Sequence, residues 1–369
     1  MAEGNIDAMT LRDMLEGGER VTVVDVRKGE DYNEWSIPGS VNFDAYDALH
    51  AGDELAMEGL ELPEGVPVVT VCGRGRSSAV AAEQLRRKGY EAFTLDGGME
   101  AWSLAWNTAE VPLPGVRVEV VQMRRTGKGC LSYVVGSDGE AIVVDASLEP
   151  EVYLWLAEAR GWRISRVLDT HVHADHLSRS RRLAEMVGAT LHMPEGAPVS
   201  YPFSALGDGD VLQDGSATLE AVWTPGHTPE STSYLLDGRA LFSGDTLFVS
   251  AVGRPDLDAS PEATRDKARE LYLSLLRLLV LEPDTLVLPG HTSEPVAFDG
   301  KPICAPLSEV RENVSVLRED EDAFVEGIAG RVLPTPSNFE RIVELNRAGT
   351  SPEDLPAELE AGANRCAAG

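Results

Sequence analysis

The sequence predicts an α/β protein of two folded units, an N-terminal α/β module and a larger layered unit of many short strands, followed by a charged, partly helical tail. Three observations carry this. β-Branched runs alternate with a helix-period segment in the first hundred residues. Pro112 and Pro114 then break the pattern. From about Val116 strand-like runs become frequent and are separated by Gly-rich turns. At 369 residues the chain is also long for one domain.

Taken in order, residues 21–26, 66–72 and 91–95 are apolar, β-branched runs and predict buried strands. Residues 78–88 predict a helix stopped by Gly89. The linker is expected over 108–116, which puts the first domain at 1–107. Strands are expected at 141–145, 166–168, 189–192, 233–236, 240–242 and 285–288, and helices at 151–159 and 265–281. The second domain then covers 117–300. The extension 301–369 is charged, with a helix over 338–347, and is expected to pack on the second domain or to join copies of the chain in a homo-oligomer.

Acidic residues outnumber basic ones 61 to 32, for a formal charge of −29. Such a surface repels polyanions, which excludes nucleic acid and anionic membranes as partners. Lysine occurs only at positions 28, 88, 128, 267 and 301. Scarce lysine with dense Asp and Glu predicts a protein adapted to concentrated salt, where self-repulsion is screened. No apolar stretch approaches the ~20 residues of a membrane span. The longest, 271–281, contains Ser274 and Arg277. The N-terminus has neither the basic flank nor the apolar core of a signal peptide, so a cytoplasmic location is expected. The four cysteines are Cys72, Cys130, Cys304 and Cys366; they form no CxxC pair and are expected to be reduced. Cys304 and Cys366 are expected to be bystanders.

Of the seven histidines, three fall in the run Thr170-His171-Val172-His173-Ala174-Asp175-His176. Two more stand in Pro225-Gly226-His227-Thr228 and Pro289-Gly290-His291-Thr292, with Ser243-Gly244-Asp245 between them. On an extended segment His171 and His173 point to the same side. Asp175 and His176 follow as the chain turns. Imidazoles and carboxylates are metal ligands, and with His227, Asp245 and His291 the set offers seven, enough for two adjacent ions.

These residues resemble the metallo-β-lactamase superfamily, whose signature is HxHxDH followed by a distant His, Asp and His. The resemblance covers about 117–300 and implies an αββα sandwich with the metal at one edge between two sheets. The segments 127–133 and 252–257 are similar to those of the persulfide dioxygenases. That resemblance implies one Fe(II) per chain held by His171, His227 and Asp245. His173, Asp175, His176 and His291 would then surround this ion without holding a second. Two histidines and a carboxylate leave open positions on Fe(II) for dioxygen and a persulfide sulfur. Arg254 is expected to attract the carboxylate of a thiol such as glutathione. The alternative is a binuclear zinc thioester hydrolase similar to hydroxyacylglutathione hydrolase, in which all seven ligands hold two Zn and a bridging hydroxide attacks the thioester.

Upstream, Cys72-Gly73-Arg74-Gly75-Arg76-Ser77-Ser78 follows a strand and opens a helix. A helix N-terminus favours a thiolate, Arg74 and Arg76 add positive charge, and the glycines let backbone N–H groups curl around the sulfur. The module resembles a rhodanese domain over about 5–107, with residues 24–27, 36–42 and 96–102 matching other landmarks. The resemblance implies that Cys72 carries a sulfane sulfur and that Asp25 and Arg27 brace the loop. Ser36 stands where that family often has His, and Arg76 lies one place earlier than the usual Arg, which leaves the sulfur donor open. The joined expectation is a sulfur-handling fusion enzyme acting on a thiol persulfide, dioxygen, and thiosulfate or sulfite.

Overall fold

The computed structural model describes residues 4–331, 335–336, 338–350 and 357–368. Residues 1–3, 332–334, 337, 351–356 and 369, which the expected first domain and tail include, lie outside the described residues.

The first unit is a five-stranded parallel sheet. Its strands are β1 (Asn5–Ile6), β2 (Thr22–Asp25), β3 (Val41–Asn42), β4 (Val68–Val71) and β5 (Ala92–Leu95), in the spatial order β1-β5-β4-β2-β3. The three runs expected as strands are β2, β4 and β5. They read as continuous apolar runs because helices cover both faces of a parallel sheet. Leu11, Val23, Val69, Leu95 and Trp102 pack on one face, and Val24, Val68, Ala81 and Leu85 on the other.

The second unit is a sandwich. One sheet contains β6 (Asn107–Val111), β7 (Glu119–Arg124), β8 (Leu131–Ser137), β9 (Glu140–Val144), β10 (Arg163–Leu168), β11 (Thr190–Pro194) and β12 (Ser204–Leu206), side by side in chain order. The other contains β13 (Val211–Asp214), β14 (Ala217–Trp223), β15 (Thr232–Leu236), β16 (Ala240–Gly244), β18 (Leu286–Pro289) and β19 (Ala305–Pro306). Period-2 alternation assigns the faces. Leu131, Tyr133 and Val135 of β8 meet Tyr234, Leu236 and Phe242 between the sheets, and the Tyr133 and Phe242 rings lie 4.9 Å apart. Val134 turns outward under helices Pro150–Arg160 and Ser180–Val187. Helix Pro261–Leu278 covers the second sheet. The layers are αββα, as expected.

The expected linker needs correction. Half of the expected linker is sheet: β6 pairs antiparallel with β7, and its Ala109 and Val111 are buried. The prolines end this edge strand and do not begin a free spacer. The tail packs on the second unit, one of the two placements expected for it. Helix Glu321–Ala329 places Phe324 and Ile328 against Leu271 and Leu275, and β17 (Val252–Gly253) pairs with β20 (Ala367–Ala368) near the C-terminus. No helix among the described residues is long and apolar enough to cross a membrane.

Candidate metal centre

Every ligand-type residue of the histidine run is buried at the ends of the sandwich strands, because each follows a strand directly. His171 follows β10, His227 lies between β14 and β15, Asp245 follows β16, and His291 follows β18. Tertiary structure then sorts them into separate groups.

The first group is His171, His227 and Asp245. His171 Nε2 is 3.8 Å from Asp245 Oδ2, and His227 Nε2 is 3.7 Å from the same oxygen. The other ring nitrogens are occupied: His227 Nδ1 donates to the Arg254 carbonyl at 2.8 Å, and His171 Nδ1 meets Thr170 Oγ1 at 2.9 Å. His171 Nε2 and Asp245 Oδ2 are buried without a hydrogen-bond partner. Such orphans are costly unless something absent pairs with them. Donors bound at about 2.1 Å to one ion lie within about 4.2 Å of each other, so the three atoms fit a common cation. Burial, with His173 adjacent, holds the His171 pKa well below its ordinary value, and burial also lowers that of His227. Both rings are therefore neutral donors. Burial opposes the Asp245 charge, but His291, His171 and His227 outweigh it and keep the carboxylate ionised. The backbone comes close to make room: a Cβ on Gly253 would lie 1.9 Å from the Asp245 carbonyl oxygen, and one on Gly290 2.7 Å from Asp245 Oδ1.

The second group is Cys130, Asp175, His176 and His291. These residues contact one another, and His176 Nε2 and His291 Nε2 are, like His171 Nε2, buried without a hydrogen-bond partner, so this group also offers free donor atoms to an ion. Asp175 Oδ1 meets His176 Nδ1 at 3.0 Å, and its Oδ2 is 3.4 Å from Cys130 Sγ and 2.8 Å from His291 Nε2. His291 Nδ1 is 2.5 Å from Asp245 Oδ1. Burial disfavours charge on His176, yet Asp175 and Cys130 raise its pKa to about 9. Burial and Asp175 oppose a Cys130 thiolate, while Arg125 and His176 favour it and bring the thiol down to about 6. His173 leaves both groups. Its Nε2 lies 3.2 Å from Asp145 Oδ1, with Asp169 nearby. The His171 and His173 rings do lie on the same side, 4.3 Å apart, but their Nε2 atoms face different carboxylates, Asp245 and Asp145.

Arg254 is placed differently from the expectation. Its side chain is fully buried and grips Asp256 with Nε–Oδ1 at 2.7 Å and Nη2–Oδ2 at 2.6 Å, while Nη1 donates to the Arg365 carbonyl at 3.1 Å. A guanidinium fork already engaged by a carboxylate does not present that fork to a ligand. What Arg254 offers the centre is its own carbonyl, which orients His227.

Cys366 also departs from the expectation of a bystander. It is buried within ligand distance of Asp245 and His291. Glu360, likewise from the tail, accepts from Leu177 N, Arg125 and Arg179. Asn364 Nδ2 lies 3.4 Å from Asp175 Oδ2. Sequence reasoning had no signal for these, because the tail carries no metal-loop pattern and reaches the centre only through the β17–β20 pairing. Cys304 is half-buried at the β19 end.

A cleft of about 760 Å³ opens beside His227. Val172, Val199, Leu257, Phe339 and Val343 line it, with Lys267 and Arg347 as its cations and Glu230 and Asp258 among its acids.

In the first unit Cys72 ends β4 and is buried. The Ser78 backbone N–H and the Ser78 hydroxyl each lie 3.3 Å from its sulfur. Helix Arg76–Arg87 begins two residues earlier than expected, after Gly75 at φ 83°. A Cβ on Gly75 would lie 3.1 Å from Gly97 N. Arg74 turns away from a role as a free cation, pairing with Glu100 and with Glu358 of the tail. Arg76 is exposed at the helix start. Arg27 pairs with Asp25 at 2.6 Å and donates to the Trp35 carbonyl at 2.5 Å.

Comparison with known proteins agrees with this architecture. Residues 7–105 match the rhodanese-like domain, and residues 125–291 match the metallo-beta-lactamase superfamily. A hydroxyacylglutathione hydrolase of Methylococcus capsulatus is 33% identical over 233 residues, covering 60% of this chain and 88% of that protein. Several rhizobial proteins of that name match over 57% of their length. A solved metallo-beta-lactamase of Staphylococcus aureus superposes with a TM-score of 0.59 at 25% identity, over 64% of this chain and 74% of that one. ETHE1 from Myxococcus xanthus superposes with a TM-score of 0.55 at 30% identity, over 62% of this chain and 97% of that one. The chain belongs to the metallo-beta-lactamase superfamily and carries a rhodanese-like domain ahead of the sandwich.

Proposed function

We propose that the chain is a sulfur-handling fusion enzyme that oxidises a low-molecular-weight thiol persulfide, RSSH + O2 + H2O → RSH + SO3²⁻ + 2H⁺, and transfers sulfane sulfur through Cys72. The observation that carries this reading is the three-donor group His171, His227 and Asp245, whose His171 Nε2 and Asp245 Oδ2 are buried without a hydrogen-bond partner. Two imidazoles and one carboxylate suit Fe(II), which supplies open positions for dioxygen and a persulfide sulfur. The chain's own residues do the rest. The Arg254 carbonyl fixes His227 with Nε2 as the donor atom. The apolar wall of Val172, Leu257, Phe339 and Val343 receives the thiol and limits water. The likeness to ETHE1 supports this reading.

In the rhodanese-like domain, the Cys72 thiolate attacks the sulfane sulfur of a donor such as thiosulfate. The Sγ–S bond forms, the donor S–S bond breaks, and sulfite leaves with that electron pair. The Ser78 N–H and hydroxyl stabilise the anionic sulfur.

A second reading, a binuclear zinc thioester hydrolase, is favoured by the 33% identity to hydroxyacylglutathione hydrolase and by the retention of all seven ligand-type residues. Metal analysis with an oxygen electrode separates the two. One iron per chain, with one O2 consumed per glutathione persulfide, is the expected result. Two zinc ions with hydrolysis of S-lactoylglutathione and no oxygen uptake would overturn it.

A further inference from the structure

Between the two units lies a cleft of about 260 Å³ lined by Trp35, Ser36, Thr126, Lys128, Ser293 and Asn364, among others. Two of its polar groups lack partners. Thr126 Oγ1 is buried without a hydrogen bond. Lys128 is 9% exposed as a residue, and its ammonium, which is not itself a buried atom, has no ion pair or hydrogen bond among the described residues. No acidic residue among the described residues pairs with this cation, although Glu294 also lines the cleft. Glu34 in the same cleft is taken by Arg365.

The cleft's position gives it a use. Helix Gly98–Trp102 begins under the Cys72 loop, where Met99 N donates to the Cys72 carbonyl at 2.8 Å and Glu100 N to that of Gly73 at 3.1 Å. Its last residue presses on the 126–129 loop: a Cβ on Gly127 would lie 1.8 Å from the Trp102 carbonyl oxygen. Five helical residues span only about 7.5 Å. On the far side, Thr292 N donates to the Gly129 carbonyl at 2.9 Å, Cys130 bridges to His291, and Asn364 reaches Asp175. The cleft therefore stands between the sulfur-carrying loop and the metal centre.

We propose that this cleft binds a small sulfur oxyanion, sulfite or thiosulfate, with Lys128 supplying the charge and Thr126 a hydroxyl donor. The assignment to sulfur oxyanions rests on the function proposed above, in which one unit releases sulfite and the other exchanges it with thiosulfate. An ammonium and a hydroxyl both donate to anionic oxygens, and the cleft is large enough to admit either anion.

The test is calorimetric titration of the full chain bearing Cys72→Ser, which prevents sulfur transfer, with sodium sulfite and with sodium thiosulfate. One saturable site is expected. Lys128→Gln in that background weakens it about tenfold or more, the loss of one charge-assisted hydrogen bond, and Lys128→Arg restores it. Melting temperatures of both variants verify folding. Binding that survives Lys128→Gln in a folded chain, or glutathione binding there while sulfite does not, overturns the proposal. Oxygen uptake with glutathione persulfide is measured separately on the chain with Cys72 intact. Uptake without Lys128-dependent sulfite binding removes the cleft and leaves the enzyme reading. Sulfite binding at Lys128 without uptake leaves the cleft and removes the enzyme reading.

Discussion

His227 is held by Arg254: the imidazole Nδ1–H donates to the Arg254 carbonyl at 2.8 Å, which leaves Nε2 facing Asp245. The same Arg254 is locked by its pair with Asp256. Replacing Arg254 with Met would leave the partly exposed Asp256 carboxylate without this partner and loosen the backbone that supports His227, at a cost of about 1–3 kcal/mol. The expected outcome is a lower melting temperature together with reduced metal content. A raised KM for the persulfide at full metal occupancy and unchanged stability would instead return Arg254 to a substrate-contacting role.

The division of the histidine run makes unequal predictions for its members. His171→Ala, His227→Ala and Asp245→Ala each remove one of three donors and are expected to abolish retained metal. His173→Ala removes a contact to Asp145 and is expected to keep it. Metal content of dialysed, folded protein is the measurement. Equal losses across all four variants would mean that the groups act as one site.

Glu360 joins the tail to the centre through Arg125 and Arg179 at 3.0 Å and 2.7 Å. Burial opposes its charge, but Arg179 and Arg125 hold its pKa below the ordinary 4.5. A depressed carboxylate pKa contributes stability that is present above 4.5 and is lost as pH falls through the folded value. Glu360→Gln is therefore expected to be about 3–5 kcal/mol less stable near neutral pH, because two buried guanidinium groups lose their charge partner. The gap narrows as pH drops below 4.5. Denaturant melts across that range check it; a gap independent of pH would refute the linkage.

Cys72 and Arg74 are predicted to differ sharply. Cys72→Ser is expected to abolish thiosulfate:thiol sulfur transfer. Arg74→Gln is expected to leave most of it, since Arg74 is already paired with Glu100 and Glu358. Steady-state transfer assays on both variants decide, and a Cys72→Ser protein with intact transfer would remove this loop from the chemistry.

The charge of −29 predicts a melting temperature that rises with molar potassium chloride, as screening relieves surface repulsion. A melting temperature indifferent to salt would argue that the acidic surface has no adaptive role of this kind.

Much of the fold was legible because it depends on local periodicity. The runs at β2, β4, β5, β9 and β16 are β-branched or apolar and lie between turn-forming residues, and burial on both faces preserved that pattern. The edge strand β6 was not legible, since Asn107–Val111 is short and runs into Pro112. The ligand-type residues were legible as a set because histidine is rare in this chain and stands beside glycines at strand ends.

The sequence by itself determined the two-unit α/β architecture, the cysteine loop at the head of a helix and the inventory of ligand-type side chains, all of which follow from residue type and short-range spacing. Only the tertiary structure decided how that inventory is divided. His171, His227 and Asp245 share a point because β10, the β14–β15 turn and β16 end at the same rim, while His173 is drawn to Asp145 and His291 to Asp175. It also decided that Arg254 faces Asp256, and that Cys366 and Glu360 reach the centre from the C-terminal tail. Several of those outcomes depend on partners more than 100 residues away, such as Glu360 on Arg179 and Arg125 and the Arg365 carbonyl on Arg254 Nη1. Spacing along the sequence cannot encode such pairings.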